Sequence, residues 1–350
     1  MFLWHGDEVL LEKMTCKVAI NGFGRIGRAV FRRFVELGRL TDIVALNDLA
    51  SSDQLAYLLS RDSTHGSAPF VVSSKSGYLV VDGHHIAVLQ ESDPSRIDWC
   101  RYDVRLVIES SGRFRSLEQA GSHLSGGVGV VLVSSPAKGV PSFVWGVNHE
   151  GLVSSSSRVF SAASCTTNCA TPLLAVLDRA FGIEACSLST IHAVTVSQSL
   201  LDGPSAKNFR LGRGALQNII PTSTGASKAV EEILPQLKGR LTGSAFRVPL
   251  PDISLLDLVL SFRHSVSLEE VFQALREAST REYEGILTLS TEDLVSTDIL
   301  GNTHSSVVDC KASSSVEGSL IKLVAWYDNE RGYSARVVDL AQFICDRCLM

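Results

Sequence analysis

The stretch Lys17-Val-Ala-Ile-Asn-Gly-Phe-Gly-Arg-Ile-Gly27 decides the fold. A short β-rich run, Lys17 to Asn21, ends in a glycine loop with Gly22, Gly24 and Gly27 in G-x-G-x-x-G spacing. Behind the loop, Ile26, Ala29, Val30, Phe34 and Leu37 recur at the spacing of one helix face, and Gly38 marks a helix stop. The next β-rich run, Asp42 to Leu46, ends at Asn47-Asp48, with Asp48 21 residues beyond Gly27. A strand before the loop, a helix after it and an acidic residue closing the next strand make the motif a dinucleotide fingerprint. Gly22 permits the tight turn, Gly24 lets the backbone approach a pyrophosphate, and Gly27 lets the helix sit close to the sheet. The first helical turn, entered through Arg25 and Ile26, turns unpaired N–H groups toward the phosphates. Asp48 accepts both ribose hydroxyls and repels a 2′-phosphate, so the expected cofactor is NAD.

Working outward, residues 53–61 read as a helix and 77–89 as two strands turned at Asp82-Gly83. Val104 to Glu109 and Val128 to Ser134 are near-continuous apolar runs flanking a helix at 116–124, the pattern of parallel strands buried on both faces. To about residue 160 the chain therefore alternates β and α, and a doubly wound parallel sheet of Rossmann type is expected. After Cys165 the character changes. One helix, about 166–181, precedes longer strand runs at 185–196, 241–249, 252–263 and 319–328, which predict a mostly antiparallel sheet in an α+β domain. A terminal helix is expected over 333–348, and the serine clusters at 154–157 and 313–315 read as loops.

Composition bounds the function. The 350 residues are 45% apolar and 20% charged, enough for about two domains and too apolar for wholesale disorder. A net charge of −5 leaves no broad cationic surface for nucleic acid or acidic membranes. Eight scattered cysteines do not make a disulfide scaffold, so a reducing compartment is expected. Cys100, Cys186 and Cys310 read as buried small hydrophobes, and Cys345 and Cys348 as ordinary residues of the terminal helix. No apolar run reaches the roughly 20 residues of a membrane span. Asp7, Glu8 and Glu12 interrupt the opening patch where a signal peptide needs an apolar middle. The expectation is a cytoplasmic protein with a short N-terminal arm, Met14 being an alternative start.

The chemistry-bearing pattern is Cys165-Thr-Thr-Asn-Cys169, at the head of the helix that opens the second domain. A thiol there is expected to have a lowered pKa, because the positive end of the helix favours thiolate, and Ser164 and Thr166 add hydroxyl donors. Cys165 and Cys169 lack a second ligand pair at zinc spacing and are not C-x-x-C, so neither a metal nor a redox pair is read from them. His192 lies in the apolar run Leu188 to Thr195. It is either a satisfied core histidine or, if it meets Cys165, the base that withdraws the thiol proton. His65, His84, His85, His149 and His304 read as loop or turn residues.

Together Asn21-Gly-Phe-Gly-Arg-Ile-Gly27, Ala163-Ser-Cys-Thr-Thr-Asn-Cys169, Gly212 to Pro221, Ser223-Thr-Gly225, Phe246-Arg-Val-Pro249 and Trp326-Tyr-Asp-Asn-Glu330 resemble the phosphorylating glyceraldehyde-3-phosphate dehydrogenase family, in order from about Lys17 to Phe343. The resemblance implies oxidation and phosphorylation of glyceraldehyde 3-phosphate with NAD through a thiohemiacetal and a thioester, a reversible step of glycolysis. It implies Cys165 as nucleophile and His192 as its acid–base partner. Ser164, Thr166, Thr224 and Gly225 match the site of inorganic phosphate, and Thr195 with Arg247 the clamp on the substrate's own phosphate. Taken singly, Arg247 could equally be a surface ion pair. Gly24, Arg25, Ile26, Asp48, Ser111, Ser134 and Asn329 match cofactor contacts, Asn329 holding the nicotinamide amide. The segment from about 195 to 213 matches a loop between subunits of a homotetramer. On this reading the chain divides into an extension (1–15), an NAD-binding domain (16–164), a catalytic domain (165–328) and a C-terminal helix returning to the first domain (329–350).

Several positions depart from the family pattern. Ser92 stands where an arginine beside the adenine is frequent, which predicts weaker NAD affinity. Ala162 replaces an asparagine and is expected to cost the turn before Cys165 side-chain hydrogen bonds. Leu250 replaces a threonine, Arg331 an aromatic residue or threonine, and Ser111 and Ser197 are mild replacements for threonine. Two other functions stay open. Erythrose-4-phosphate dehydrogenases share the Cys and His motifs, although Ser223-Thr-Gly225 and Asp202-Gly-Pro204 resemble the glyceraldehyde-3-phosphate type. The other is a catalytically relaxed copy that binds a partner or nucleic acid, against which the intact Cys165, His192 and Arg247 and the net charge of −5 speak.

Overall fold

The computed structural model describes residues 16–349 apart from 197, 206, 207 and 317–319; the arm expected at 1–15 and Ser197 lie outside the described residues. Two sheets organise them. The first contains β1 (Val18–Asn21), β2 (Ile43–Asn47), β3 (Val72–Lys75), β4 (Tyr78–Val81), β5 (His84–Leu89), β6 (Leu106–Glu109), β7 (Val130–Val133) and β8 (Val159–Ser161). Their order is β3-β4-β5-β2-β1-β6-β7-β8. From β5 to β8 every pairing is parallel, and β3 and β4 add an antiparallel edge. β1, β6, β7 and β8 are buried at every position, as strands covered on both faces must be. Helices α1 (Arg25–Glu36) and α3 (Leu117–Gly121), with the last helix of the chain, supply that cover, and α2 (Ser52–Ser60) packs on β3 and β4. β3 was not legible in the sequence, because its burial alternates and half its side chains face out.

The second unit opens with α4 (Cys165–Phe181) and β9 (Ile183–His192), followed by β10 (Ile220–Ser223), α5 (Ala226–Ile233), β11 (Leu241–Arg247), β12 (Ser254–Phe262), α6 (Leu268–Ser279), β13 (Leu287–Ser290), β14 (Ser306–Val316) and β15 (Leu320–Tyr327). The order β10-β11-β9-β12-β15-β14-β13 is antiparallel except at β11–β9 and β13–β14. α4, α5 and α6 share one apolar core with this sheet, including Leu173, Leu177, Val230, Leu258, Leu275 and Leu323. Residues 313–315, expected as a loop, belong to β14. Ser313 is buried there because its hydroxyl donates to Asp309 O (2.7 Å) and accepts from Val324 N (3.0 Å) on β15. Satisfied serines cost a strand little, and their polarity misled the reading.

The last helix, α7 (Arg331–Arg347), returns to the first unit. Val337, Val338, Leu340, Ala341 and Ile344 pack in one cluster with Val30, Phe31 and Phe34. Cys345 on this helix is joined by a disulfide to Cys16, just ahead of β1. This corrects the expectation of free thiols throughout. The partners lie 329 residues apart, so sequence spacing carried no sign of a bond made only when the two chain ends meet. Cys186 is buried as expected, whereas Cys310 is half-buried and Cys100 exposed.

Candidate functional site

The first site component lies at the carboxyl ends of β1, β2 and β6, where chain connections leave β1 toward opposite sides, the usual location of a ligand crevice in such sheets. Gly22, Gly24, Asp48, Ser92, Ser111 and Arg113 are among the residues lining a crevice there. The three loop glycines divide the work. Gly22 has φ 88°, and a Cβ on it would stand 2.3 Å from Ser111 Cα. A Cβ on Gly27 would meet Gly22 O at 2.2 Å, so only glycine lets α1 sit this close. Gly24 has open space beyond it, which suits close approach of a ligand. It also caps α1 with no side-chain acceptor, whereas Ser51, Ser116, Ser164 and Ser267 cap their helices through side-chain hydroxyls. The α1 terminus therefore keeps orphan donors for an anion.

Asp48 is fixed at the rim: one carboxylate oxygen accepts from Phe23 N (2.7 Å) and the other from Ala50 N (3.0 Å). Ser134 closes β7 with its N–H on Glu109 O (2.9 Å). The Arg25 guanidinium is drawn into ion pairs with Glu330 and Asp62, so Arg25 faces the loop through its backbone alone. Ile26 packs beside the first core. These residues fit a dinucleotide: a glycine-walled phosphate seat, an uncapped helix terminus and a fixed acceptor for ribose hydroxyls.

The second component is on the other sheet. His192 and Arg247 end the parallel neighbours β9 and β11 and pair in register. α4 begins at Cys165, and the Ser164 hydroxyl caps it by accepting from Thr167 N (3.1 Å). Cys165 Sγ thereby comes 3.4 Å from His192 Nε2 across 27 residues of sequence. Ala163, two residues before Cys165, has φ 56°, an uncommon conformation for a side-chain-bearing residue. Asn168 steadies this turn, donating to Ala162 O (2.8 Å) and Ser164 O (3.0 Å). Ala162 itself is fully buried.

His192 Nδ1 lies 2.7 Å from Ala193 O. The carbonyl can only accept and so calls for a proton on Nδ1, whereas the guanidinium of Arg247 can only donate and calls for a lone pair there; Nε2 is the ring nitrogen that faces the thiol. Arg247 Nη1 donates to the same carbonyl at 3.1 Å and sits 2.6 Å from Nδ1. Arg247 has no carboxylate partner among the described residues, and its buried Nε has no hydrogen-bond partner there. It is not a surface ion pair. An inward-held, unmatched guanidinium is a seat for an anion.

Burial, with the Arg247 charge second, holds the imidazole neutral, its pKa lowered to about 3. Burial likewise pushes the Cys165 thiol up, while Arg247, the Thr166 hydroxyl and helix N–H groups pull it down. The sequence reading expected a lowered thiol. The helix terminus does act in that direction, but desolvation of the anion outweighs it.

The other expected residues fall around this pair. Thr166 is buried, its hydroxyl 2.9 Å from Tyr327 Oη. Thr195 follows β9, its N–H donating to Gln198 Oε1 (3.0 Å). Thr224 and Gly225 form the N-terminus of α5, and Gly225 brings no side-chain cap. Asn329 Oδ1 accepts from Ser254 Oγ (2.7 Å), which accepts in turn from Ala193 N (3.1 Å). Ser254 and Tyr327 were not found from sequence. Tyr327 Oη bridges Thr166 and Thr190 (2.8 Å), and a lone tyrosine in an apolar strand gives no sign of such partners. His65, read as a loop residue, joins an ionic cluster with Asp252 (3.3 Å) and Glu330 (2.9 Å).

A fingerprint crevice and a thiol–imidazole pair in one chain fit a nucleotide-dependent oxidoreductase working through cysteine. Known proteins narrow this class. The family model described as glyceraldehyde 3-phosphate dehydrogenase, NAD binding domain, matches residues 16–117, and that for the C-terminal domain matches 164–329. Glyceraldehyde-3-phosphate dehydrogenase 2 of Schizosaccharomyces pombe is 47% identical over 332 residues, 95% of this chain and 98% of its own length. The Chlamydia muridarum glyceraldehyde-3-phosphate dehydrogenase is 46% identical over 94% of this chain and 98% of its own. Glyceraldehyde-3-phosphate dehydrogenase 2 of Drosophila melanogaster is 45% identical over the same shares. The chain belongs to the glyceraldehyde-3-phosphate dehydrogenase family, and NAD is its cofactor.

Proposed function

We propose that the chain oxidises and phosphorylates glyceraldehyde 3-phosphate to 1,3-bisphosphoglycerate, with NAD as oxidant and inorganic phosphate as acyl acceptor, Cys165 being the nucleophile and His192 its acid–base partner. The observation that carries this reading is the 3.4 Å approach of Cys165 Sγ to His192 Nε2 beside an unmatched Arg247. Arg247, with Thr195, takes the substrate phosphate. That anion offsets the guanidinium charge that opposes protonation of His192, so substrate binding itself prepares the base. His192 Nε2 withdraws the thiol proton, Cys165 Sγ adds to the aldehyde carbon, and the imidazolium returns its proton to the oxygen of the thiohemiacetal.

When bound, NAD supplies the hydride acceptor. Gly24, the backbone of Arg25 and Ile26, Asp48, Ser111 and Ser134 would hold it. Asn329, whose Oδ1 is occupied by Ser254, would offer its NH₂ to the nicotinamide carbonyl. His192 removes the hydroxyl proton as the carbon is oxidised, leaving a thioester on Cys165. Ser164, Thr166, Thr224 and Gly225 then seat inorganic phosphate, whose oxygen displaces the sulfur as thiolate.

The same proposal includes the domain division at Cys165, with 329–350 returning to the NAD-binding domain. It includes a homotetramer in the cytoplasm. Val196, Leu200, Leu201, Phe209, Leu216 and Ile219 are all strongly exposed between residues 196 and 219, which supports subunit contact there. Among the described residues no helix is long and apolar enough to cross a membrane. The test is NADH formation with each aldehyde. The reaction must require inorganic phosphate, prefer glyceraldehyde 3-phosphate to erythrose 4-phosphate, and vanish in Cys165→Ala. Phosphate-independent turnover would overturn it.

A further inference from the structure

Beneath the cofactor crevice lies a buried row of polar side chains that the proposed chemistry does not use. Asn47, Asn21 and Glu109 are the last residues of β2, β1 and β6, and they stand side by side in the pairing register. Each is 5% exposed or less. Asn47 Nδ2 donates to Asn21 Oδ1 (2.6 Å), and Asn21 Nδ2 donates to Glu109 Oε2. The row is anchored at both ends. On one side Asn47 exchanges hydrogen bonds with the backbone of Glu91, at 2.9 Å each. On the other, Glu109 Oε1 accepts from Ser111 N (2.8 Å) and Ser111 Oγ (2.5 Å). Glu91 and Ser111 are opposite walls of the crevice.

The proton positions follow from donor counting. Trp99 Nε1 can only donate, and it lies 3.2 Å from His123 Nδ1. His123 Nδ1 therefore accepts, which places the ring proton on Nε2, 3.0 Å from Glu109 Oε2. His123 is fully buried, so this tautomer has no solvent alternative. Glu109 then accepts four N–H or O–H donors: Ser111 N–H, the Ser111 hydroxyl, Asn21 and His123. The Ser111 hydrogen is spent on Glu109, so its hydroxyl turns only lone pairs toward the crevice. One is met by Arg113 N at 3.2 Å.

We propose that Glu109 and His123 are positioning residues for the dinucleotide: through Ser111, Asn21 and Asn47 they set the two crevice walls and make Ser111 an obligate acceptor. The inference rests on dinucleotide binding in this crevice and needs nothing from the cysteine chemistry. Neither residue reaches the crevice to touch the ligand; Glu109 and His123 act through their neighbours.

The test is calorimetric measurement of the NAD dissociation constant on the full chain, alongside steady-state kinetics. Glu109→Gln presents an NH₂ to a site surrounded by donors, and His123→Leu deletes the donor to Glu109. Each is expected to weaken NAD binding about tenfold, the cost of disturbing a buried hydrogen bond to a charged group. The KM for NAD should rise in parallel while kcat at saturating NAD falls less than about twofold. His123→Gln, able to donate to Glu109, should recover most of the affinity. If Glu109→Gln does not fold, Ser111→Ala cuts the same link at the crevice wall and is expected to weaken NAD binding by a similar factor. An unchanged dissociation constant in a folded variant, or loss confined to kcat, overturns the proposal. Failure of the unaltered chain to bind NAD would instead overturn the cofactor reading itself.

Discussion

Arg247→Met keeps the length of the side chain and removes its charge, and its consequence for His192 can be worked from the structure. The imidazole is held down to about 3 from an ordinary 6.5, with burial the larger cause and Arg247 the next. The guanidinium nitrogen lies 2.6 Å from Nδ1, but burial outranks it, so its share is less than half of the gap. Removal of the charge should let the imidazole protonate about one to one and a half pH units higher, equivalent to about 1.4–2.0 kcal/mol. The assay is titration of the His192 ring nitrogens by NMR in histidine-labelled protein. Arg247→Lys, which keeps a cation, should stay near the original value, and a saturating phosphomonoester, standing for the substrate's own phosphate, should raise the pKa in the unaltered chain more than in Arg247→Met. The same variant should raise the KM for the phosphorylated aldehyde about a hundredfold, since a charged partner is removed from the phosphate. A ring pKa that moves by less than about 0.3 in Arg247→Met, or equally in both variants, would falsify the argument that this one charge governs the base.

Three other outcomes are expected. Burial pulls His65 down, but hydrogen bonds to Asp252 and Glu330 raise it to about 9, so its stabilising share is complete below pH 6.5 and lost as pH climbs through 9. Thermal melts from pH 6.5 to 10 should show that decline in the unaltered chain and a flatter profile in His65→Asn; parallel profiles would refute it. The Cys16–Cys345 disulfide closes a loop spanning 329 positions, for which chain entropy sets an upper limit of about 6 kcal/mol. Denatured protein should therefore titrate six thiols before reduction and eight after it, with a lower melting temperature in reductant; eight thiols from the start would dispose of the bond. Ser92→Arg would place a cation on a crevice wall shared with Asp48 and Glu91, and should tighten NAD several-fold by calorimetry; an unaltered or weaker affinity would end that explanation.

The cofactor unit was legible because its physics is local. A glycine must occupy a φ of 88° at residue 22, a helix must approach Gly22 O at residue 27, and both demands fall within one short run of chain. Strands buried on both faces likewise declare themselves as unbroken apolar runs, as β6 and β7 do. In the second unit α4 and the strands β9, β11, β12 and β15 were readable for the same reason, whereas β10, β13, β14, α5 and α6, like β3 in the first, were not. β3, β10 and β13 are edge strands, β14 carries polar serines satisfied across the sheet, and α5 and α6 are amphiphilic helices.

The candidate site divides in a similar way. Motifs pointed to Cys165, His192 and Arg247 one at a time, but only the pairing of β9 with β11 and the placement of α4 against them bring thiol, imidazole and guanidinium together. Tertiary structure also reversed the expected direction of the thiol, because desolvation depends on everything packed around an atom and not on its place at the head of a helix. The disulfide between chain ends and the Asn47–Asn21–Glu109–His123 row belong to the same class. Residue types and short-range spacing determine which local conformations and reactive groups a chain can offer. Long-range packing decides which of them meet, how dry their surroundings are, and so what charge each can carry.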